Sequence, residues 1–269
     1  MVMCKTILDA LERIAPKRLV EEWDNSGLLI GSPAHRTERV LVALDVTDAV
    51  VTRAMEKKAD MIVAHHPVIF KPLKHIRTDL SIGARIQTLL KHGIAVAAAH
   101  TNLDIARGGV NDVLAEAIGL EQVSSFVLTE QHKDGTTESL GRVGSLLAPM
   151  RIEDFAKTIK EALPVTYVRM VKVGERTVRK VAICSGSGAE FIGKAAFLGA
   201  DAYVTGDVRY HDAQQAMEFG MHVIDAGHFG TEFPIVRRLA ERLQHELETV
   251  KGEVEILCDD VSHDVFTVV

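Results

Sequence analysis

The sequence predicts an α/β protein built as two pseudo-symmetric βαβαβα lobes with mainly parallel sheets. Three observations carry this expectation. Short apolar runs alternate with amphipathic stretches of helical length, the pattern of βαβ units. The alternation occurs twice at a shared spacing: Val40–Leu44 aligns with Val181–Ser185 (181 − 40 = 141), and Ala59–Ala64 with Ala200–Thr205 (200 − 59 = 141). Gly93–Ala99 then aligns with Gly220–Ala226 at 220 − 93 = 127, so the second copy has the shorter loop. A shared offset across strand, helix and strand marks an internal repeat. Finally, polar clusters fall at the ends of the apolar runs, where open parallel sheets bind their ligands.

In chain order, Thr6 to Ala15 places Ile7, Leu8, Leu11 and Ile14 on one helical face, and Pro16 ends it. Thr6 with Asp9 resembles a capping box. A polar loop leads to a short strand, Gly27 to Gly31. Strand Arg39–Leu44 precedes a helix from Asp48 to Lys58 capped by Thr47. Strand Met61–Ala64 stops at His65-His66-Pro67, because proline donates no ladder bond and holds the residue before it extended. A helix ending at His92 follows, with Gly93 at its C′ position. Strand Ile94–Ala99 and helix Val110–Ile118 complete the first copy.

The polar, glycine-containing segment Thr129–Ser139 reads as a boundary. This gives a first lobe over 1–128 and a second over 129–269, with the C-terminal helix available to pack back on the first. Strand Leu140–Leu147, helix Ile152–Leu163 and strands Val165–Val173 and Thr177–Cys184 come next. Helix Ala189–Leu198, strand Ala202–Thr205, a helix to Phe219 and strand His222–Ala226 repeat the alternation. A long helix runs from about Glu232 to Glu248.

Composition narrows the function. Hydrophobic residues make up 47% and charged residues 25%, the profile of a soluble globular protein. A formal charge of −6 leaves no basic footprint for nucleic acid. Cys4, Cys184 and Cys258 are odd in number and far apart, which argues against a disulfide framework or a thiolate zinc site and fits a reducing cytoplasm. Lys5, Asp9 and Glu12 interrupt the N-terminal apolar residues, so no signal peptide is predicted, and no stretch approaches the ~20 apolar residues a membrane span needs.

The strand ends carry His65-His66 and His100-Thr-Asn-Leu-Asp104 in the first copy, and Gly206-Asp207 and His228-Phe-Gly-Thr-Glu232 in the second. Neighbouring strand residues point to opposite faces, so His65 and His66 suit two ions better than one. Three imidazoles (His65, His66, His228) and two carboxylates (Asp104, Glu232) are too few to close two coordination shells. Bridging carboxylates would leave open positions, as catalytic sites have. The absence of thiolate selects two divalent ions such as zinc, iron, manganese or cobalt. Glu232 is expected to open the last helix, favoured there by the helix dipole.

Other features have two readings. Ser185, Gly186, Ser187 and Gly188, between a strand and a helix, form either an anion nest for a phosphate or a plain tight turn. Trp23-Asp24-Asn25-Ser26-Gly27 is a loop anchored by the only tryptophan or part of a pocket wall, which would make Asn25 a substrate contact. His211 contacts substrate or merely sits at a helix start capped by Asp212.

The stretches WDNSGLLIG (23–31), AHHPVIF (64–70), HTNLDIARGGVND (100–112), CSGSG (184–188), TGDVRYHDAQQA (205–216) and DAGHFGTE (225–232) together resemble the Nif-three-like dinuclear-metal family. Its members are often labelled GTP cyclohydrolase I type 2 homologues. The resemblance implies a two-lobed Nif-three-like fold, a two-metal site and a toroidal homohexamer. The family's ligands carry over onto His65, His66, Asp104, His228 and Glu232, and its conserved histidine before the bridging aspartate onto His100. The function implied is a metal-dependent hydrolase acting on a small nucleotide-like or phosphorylated substrate, with His100 as acid or base. The alternatives are a metal-delivery protein and a ring whose ions only stabilise assembly.

Overall fold

The computed structural model describes residues 1–131, 137–250 and 252–269. The chain divides into two compact units, one of 1–106 with 235–262 and one of 107–234 with 263–269. Part of the Thr129–Ser139 segment lies outside the described residues. Its flanks belong to a hairpin of the second unit, Glu121–Gln131 with Thr137–Met150.

In the first unit, parallel strands Arg39–Ala43, Met61–Ala64 and Ala95–Ala98 lie side by side, with Glu255–Cys258 parallel on one edge and Gly27–Ile30 antiparallel on the other. The central strands are apolar along their whole length because helices cover both faces. Leu41, Ile62 and Val96 pack with Val50, Ile86 and Leu89 of helices Asp48–Glu56 and Ser81–Lys91. The Thr47 hydroxyl caps the first of these helices by accepting from Val50 N at 3.2 Å. Helix Cys4–Ile14 begins two residues earlier than its periodicity suggests and has no side-chain cap, so the Thr6 box does not form. Asp9 instead pairs with Lys5 one turn back, at 2.8 Å.

In the second unit, Val178–Ser187, Ala202–Gly206 and His222–Asp225 form the parallel core, with Arg169–Val171 antiparallel on one edge and the long hairpin on the other. Phe155 and Ile159 of helix Ile152–Ala162 fill one side beneath Val181 and Val204.

The sheet registers reproduce the sequence repeat. Val40 pairs with Met61 and Met61 with Ala95, while Val181 pairs with Ala202 and Ala202 with His222. The same offsets, 141 and 127, separate these residues (181 − 40, 202 − 61, 222 − 95). Met61–Ala64 and Ala202–Gly206 are therefore equivalent middle strands.

Several elements differ from expectation. Glu232 does not open the last helix: it closes a one-turn helix, His228–Glu232, and Pro234 separates that turn from helix Ile235–Leu247. The dipole argument for Glu232 therefore fails, since the N-terminal end is four residues away. Strand Val165–Val173 shrinks to Arg169–Val171, and helix Ala189–Leu198 starts as a 3-10 turn before Ile192. A one-turn helix, Thr101–Ile105, follows the third strand of the first unit. No helix among the described residues is long and apolar enough to cross a membrane.

Candidate metal centre

The first unit brings His65, His66, His100 and Asp104 together at the C-terminal ends of its strands. His65 and His66 continue the ladder past Ala64, their amides donating to Ala43 O (3.1 Å) and Leu44 O (2.9 Å). Their rings nevertheless converge, with centroids 4.8 Å apart, because Pro67 turns the chain out of the sheet. One nitrogen from each of His65, His66 and His100 lies within 4.8 Å of the others. Asp104, on the turn Thr101–Ile105, sets Oδ1 3.6 Å from His65 Nε2.

The second unit builds its counterpart on the turn His228–Glu232. Four residues of helix put both side chains on one face, with His228 Nε2 3.1 Å from Glu232 Oε2. The two turns are themselves a repeat, since 228 − 100 and 232 − 104 both equal 128.

Each imidazole is oriented through its other nitrogen. His65 Nδ1 lies 2.9 Å from Ala99 O, His66 Nδ1 2.8 Å from Asp45 Oδ1, His100 Nδ1 2.7 Å from Asp24 Oδ1, and His228 Nδ1 2.8 Å from Asp207 Oδ2. Carbonyls and carboxylates only accept, so each Nδ1 carries the hydrogen and each ring turns its Nε2 inward. This carbonyl- or carboxylate-backed arrangement is the one found behind metal-bound histidines.

The donor set fits a divalent ion. Two ligands at bonding distance from one tetrahedral ion stand about 3.4 Å apart, and the His65–Asp104 and His228–Glu232 separations are 3.6 and 3.1 Å. His65, Asp104 and Glu232 are buried, and imidazole with carboxylate suits borderline-to-hard ions.

Backbone crowding shapes the second-unit cluster. Gly186 has φ +60°, and a Cβ there would lie 2.1 Å from Glu232 Oε1 and 3.2 Å from His228 Nε2. Thr231 fixes the same contact, its hydroxyl accepting from Gly186 N at 2.9 Å.

The remaining sequence candidates fare differently. The amides of Ser185, Gly186 and Gly188 already donate to Asn111 Oδ1, Thr231 Oγ1 and Thr205 Oγ1 at 2.9, 2.9 and 3.0 Å. An anion nest over Ser185–Gly188 would need those amides, and the tight turn is not formed either: Ser185–Ser187 end the strand Val178–Ser187, with Ser187 on the exposed side. The Asn25 side-chain amide donates to Ile69 O, tying two loops together rather than reaching outward. His211 sits at the exposed start of helix Tyr210–Glu218 with Nδ1 3.0 Å from Gln214 Oε1, and Asp212 supplies the capping bond by accepting from Arg209 N.

Three carboxylates stand behind the histidines: Asp207, named at a strand end in the sequence but without this role, and Asp24 and Asp45, which the sequence pattern did not single out. Asp24 is the most committed. Its side chain is enclosed, and it accepts from His100 Nδ1, the Thr101 hydroxyl (2.7 Å) and the Ser26 hydroxyl (2.9 Å). Burial pushes its pKa up, but these hydrogen bonds and the His100 charge outweigh burial and hold it far below the usual carboxylate range. It is an anion under all ordinary conditions, which locks the His100 tautomer.

A family model described as Duf34/NIF3 (NGG1p interacting factor 3) matches residues 2–264. A Clostridium perfringens protein named GTP cyclohydrolase 1 type 2 homolog is 34% identical over 260 residues, covering 97% of both chains. The crystal structure of a Bacillus cereus protein related to NIF3 superimposes with a TM-score of 0.94 at 30% identity, covering 100% of this chain and 99% of the other. A Staphylococcus aureus structure gives 0.92 at 29% identity, with the same coverage. Matched along almost its whole length, the chain belongs to the Duf34/NIF3 family.

Proposed function

We propose that the protein is a dinuclear-metal-dependent hydrolase acting on a small nucleotide-like or phosphorylated substrate. His65, His66 and Asp104 of the first unit and His228 and Glu232 of the second would be the ligands of two divalent ions per chain: zinc, iron, manganese or cobalt. The observation that carries this reading is an imidazole nitrogen and a carboxylate held facing each other. His228 commits its Nδ1 hydrogen to Asp207 and turns Nε2 toward Glu232 Oε2 at 3.1 Å. A carboxylate facing an imidazole nitrogen at this distance is favourable with a proton or a metal cation between them, and the Nδ1 bond to Asp207 leaves Nε2 as the nitrogen a metal would take. His65 and Asp104 repeat the arrangement.

When bound, such ions polarise substrate oxygens and bring the pKa of water near neutrality. His100 moves the proton. With Nδ1 bonded to Asp24, its Nε2 accepts a proton during attack and returns it to the leaving group, and Asp24 stabilises the imidazolium formed in between. The names of the curated relatives support a nucleotide-type substrate. A toroidal homohexamer and a cytoplasmic location belong to the same reading; three cysteines, odd in number and far apart, support the latter.

The test is elemental analysis of protein purified without added metal, together with the rate of GTP ring opening by the same preparation. Two ions per chain with turnover is the expected result. Two ions with no turnover on GTP or on a panel of phosphorylated substrates would sink the hydrolase reading and favour metal delivery.

A further inference from the structure

Trp23 is the chain's only tryptophan, and 62% of it is exposed. An indole left in water forgoes a large burial gain, so its setting has to be explained. The loop that carries it is held on both sides. Asp24 N donates to Glu21 O (2.9 Å), Glu21 N to Thr101 Oγ1 (3.1 Å), and the Asn25 amide to Ile69 O. Asp24 and Ser26 are bonded inward to His100 and Thr101. Trp23 is thus presented outward by a fixed loop rather than left on a slack one.

Two rings stand beside it. Phe70, itself 44% exposed, and His100 each lie with centroids 6.0 Å from Trp23, at interplanar angles of 69° and 82°, and 6.1 Å from one another. None of these contacts is a parallel stack. Trp23 therefore keeps aromatic surface open in a corner walled by an apolar ring and an imidazole.

We infer that Trp23 and Phe70 form a stacking platform for a planar heteroaromatic ring, which they hold with its edge toward His100. A flat ring lying on the indole recovers the missing burial and gains base–aromatic stacking, which tolerates any base because every base has a π-face. The same placement brings the ring's polar edge to His100, whose Nδ1 is bonded to the Asp24 carboxylate. The inference rests on the hydrolase reading for its purpose, and names the substrate class as a nucleobase or similar heterocycle. Its binding claim is independent of turnover.

Because the tryptophan is unique, its emission reports on this corner alone. The experiment titrates the metal-loaded protein with guanosine 5′-monophosphate and, separately, with ribose 5-phosphate, following tryptophan fluorescence under excitation selective for indole. Saturable quenching by the nucleotide and none by the sugar phosphate is expected. Phe70→Ala should weaken nucleotide binding about tenfold, and Trp23→Ser, read by equilibrium dialysis, about tenfold to a hundredfold, with Trp23→Phe recovering most of it. Equal quenching by both ligands, or by neither, overturns the platform. So does a Trp23→Ser variant that changes assembly size in sedimentation and keeps its nucleotide affinity, since the indole would then be a contact between copies. Quenching without turnover keeps the platform and removes the hydrolase; turnover without quenching does the reverse.

Discussion

His100 donates from Nδ1 to Asp24 Oδ1 across 2.7 Å, and the other oxygen of that carboxylate is held by Thr101 and Ser26. The imidazole therefore has one tautomer and one orientation, with three polar side chains committed to a single enclosed anion. Asp24→Asn keeps the shape but removes the charge that enforces the tautomer. It should lower turnover by roughly 10²–10⁴-fold, and His100→Asn by a similar factor, with metal content unchanged in both. The double variant should be no worse than the poorer single one, because the two residues act as a unit. Metal loss in His100→Asn would instead make it a ligand, and unchanged turnover would remove its role.

Asp104→Ala and Glu232→Ala should each reduce bound metal toward one ion or none per chain, measured by elemental analysis. Each removes a buried carboxylate that faces an imidazole. His35→Ala, outside all the site motifs, is the control and should keep full metal content; His132, equally remote in sequence, lies outside the described residues. Full occupancy in the Asp104 variant would refute its assignment.

Gly186→Ala deletes no ligand, yet it should lose metal almost as Glu232→Ala does. The new methyl would lie 2.1 Å from Glu232 Oε1, and the φ of +60° adds backbone strain of about 1 kcal/mol. Thr231→Val tests the same contact from the other side, by leaving Gly186 N without its acceptor. If Gly186→Ala binds two ions with normal affinity in a chelator competition, the carboxylate is not where the ligand assignment needs it.

His222 should make stability depend on pH. It is fully buried, and its Nδ1 accepts from Val173 N at 3.0 Å, so the ring is held neutral with its proton on Nε2. Burial first, and the charge of Arg176 second, lower its pKa in the folded protein. The unfolded chain then takes up a proton at about pH 6.5 that the folded chain refuses. Stability is lost as pH falls below that value, down to the folded-state pKa. His222→Asn keeps an acceptor near Val173 N without a titrating ring. Its melting temperature should fall less than that of wild type between neutral and mildly acid pH; parallel curves would rule this out.

The repeat was legible because its strands are buried on both faces, which makes Met61–Ala64 and Ala202–Gly206 continuous apolar runs with polar ends. The ligand-type residues were legible for the same reason, since a histidine or carboxylate at the end of such a run has no apolar role. Asp24 and Asp45 were not, and Asp207 was visible at its strand end without its role. An aspartate in a polar loop looks the same whether it faces water or an imidazole 2.8 Å away. Hairpin strand Glu121–Gln131 was missed because Val123 and Leu128 are both exposed, so no clean alternation marks a buried face. Strand Glu255–Cys258 is four residues long, and its pairing partner lies more than two hundred positions earlier.

That last strand bears on how the molecule is made. Glu255–Cys258 adds in parallel beside Arg39–Ala43, and helix Ile235–Leu247 belongs to the same unit. A ribosome therefore emits most of the first unit, then the whole stretch 107–234, and only afterwards the pieces that finish the first sheet. During that interval the edge of Arg39–Ala43 has no neighbour, and it offers unpaired backbone to any strand that passes. The second unit's sheet, whose strands are all contained in 107–234, can pair fully before the first sheet is complete. The unit that starts first is the one that finishes late, and its open edge is where a nascent chain of this protein is most exposed to mispairing.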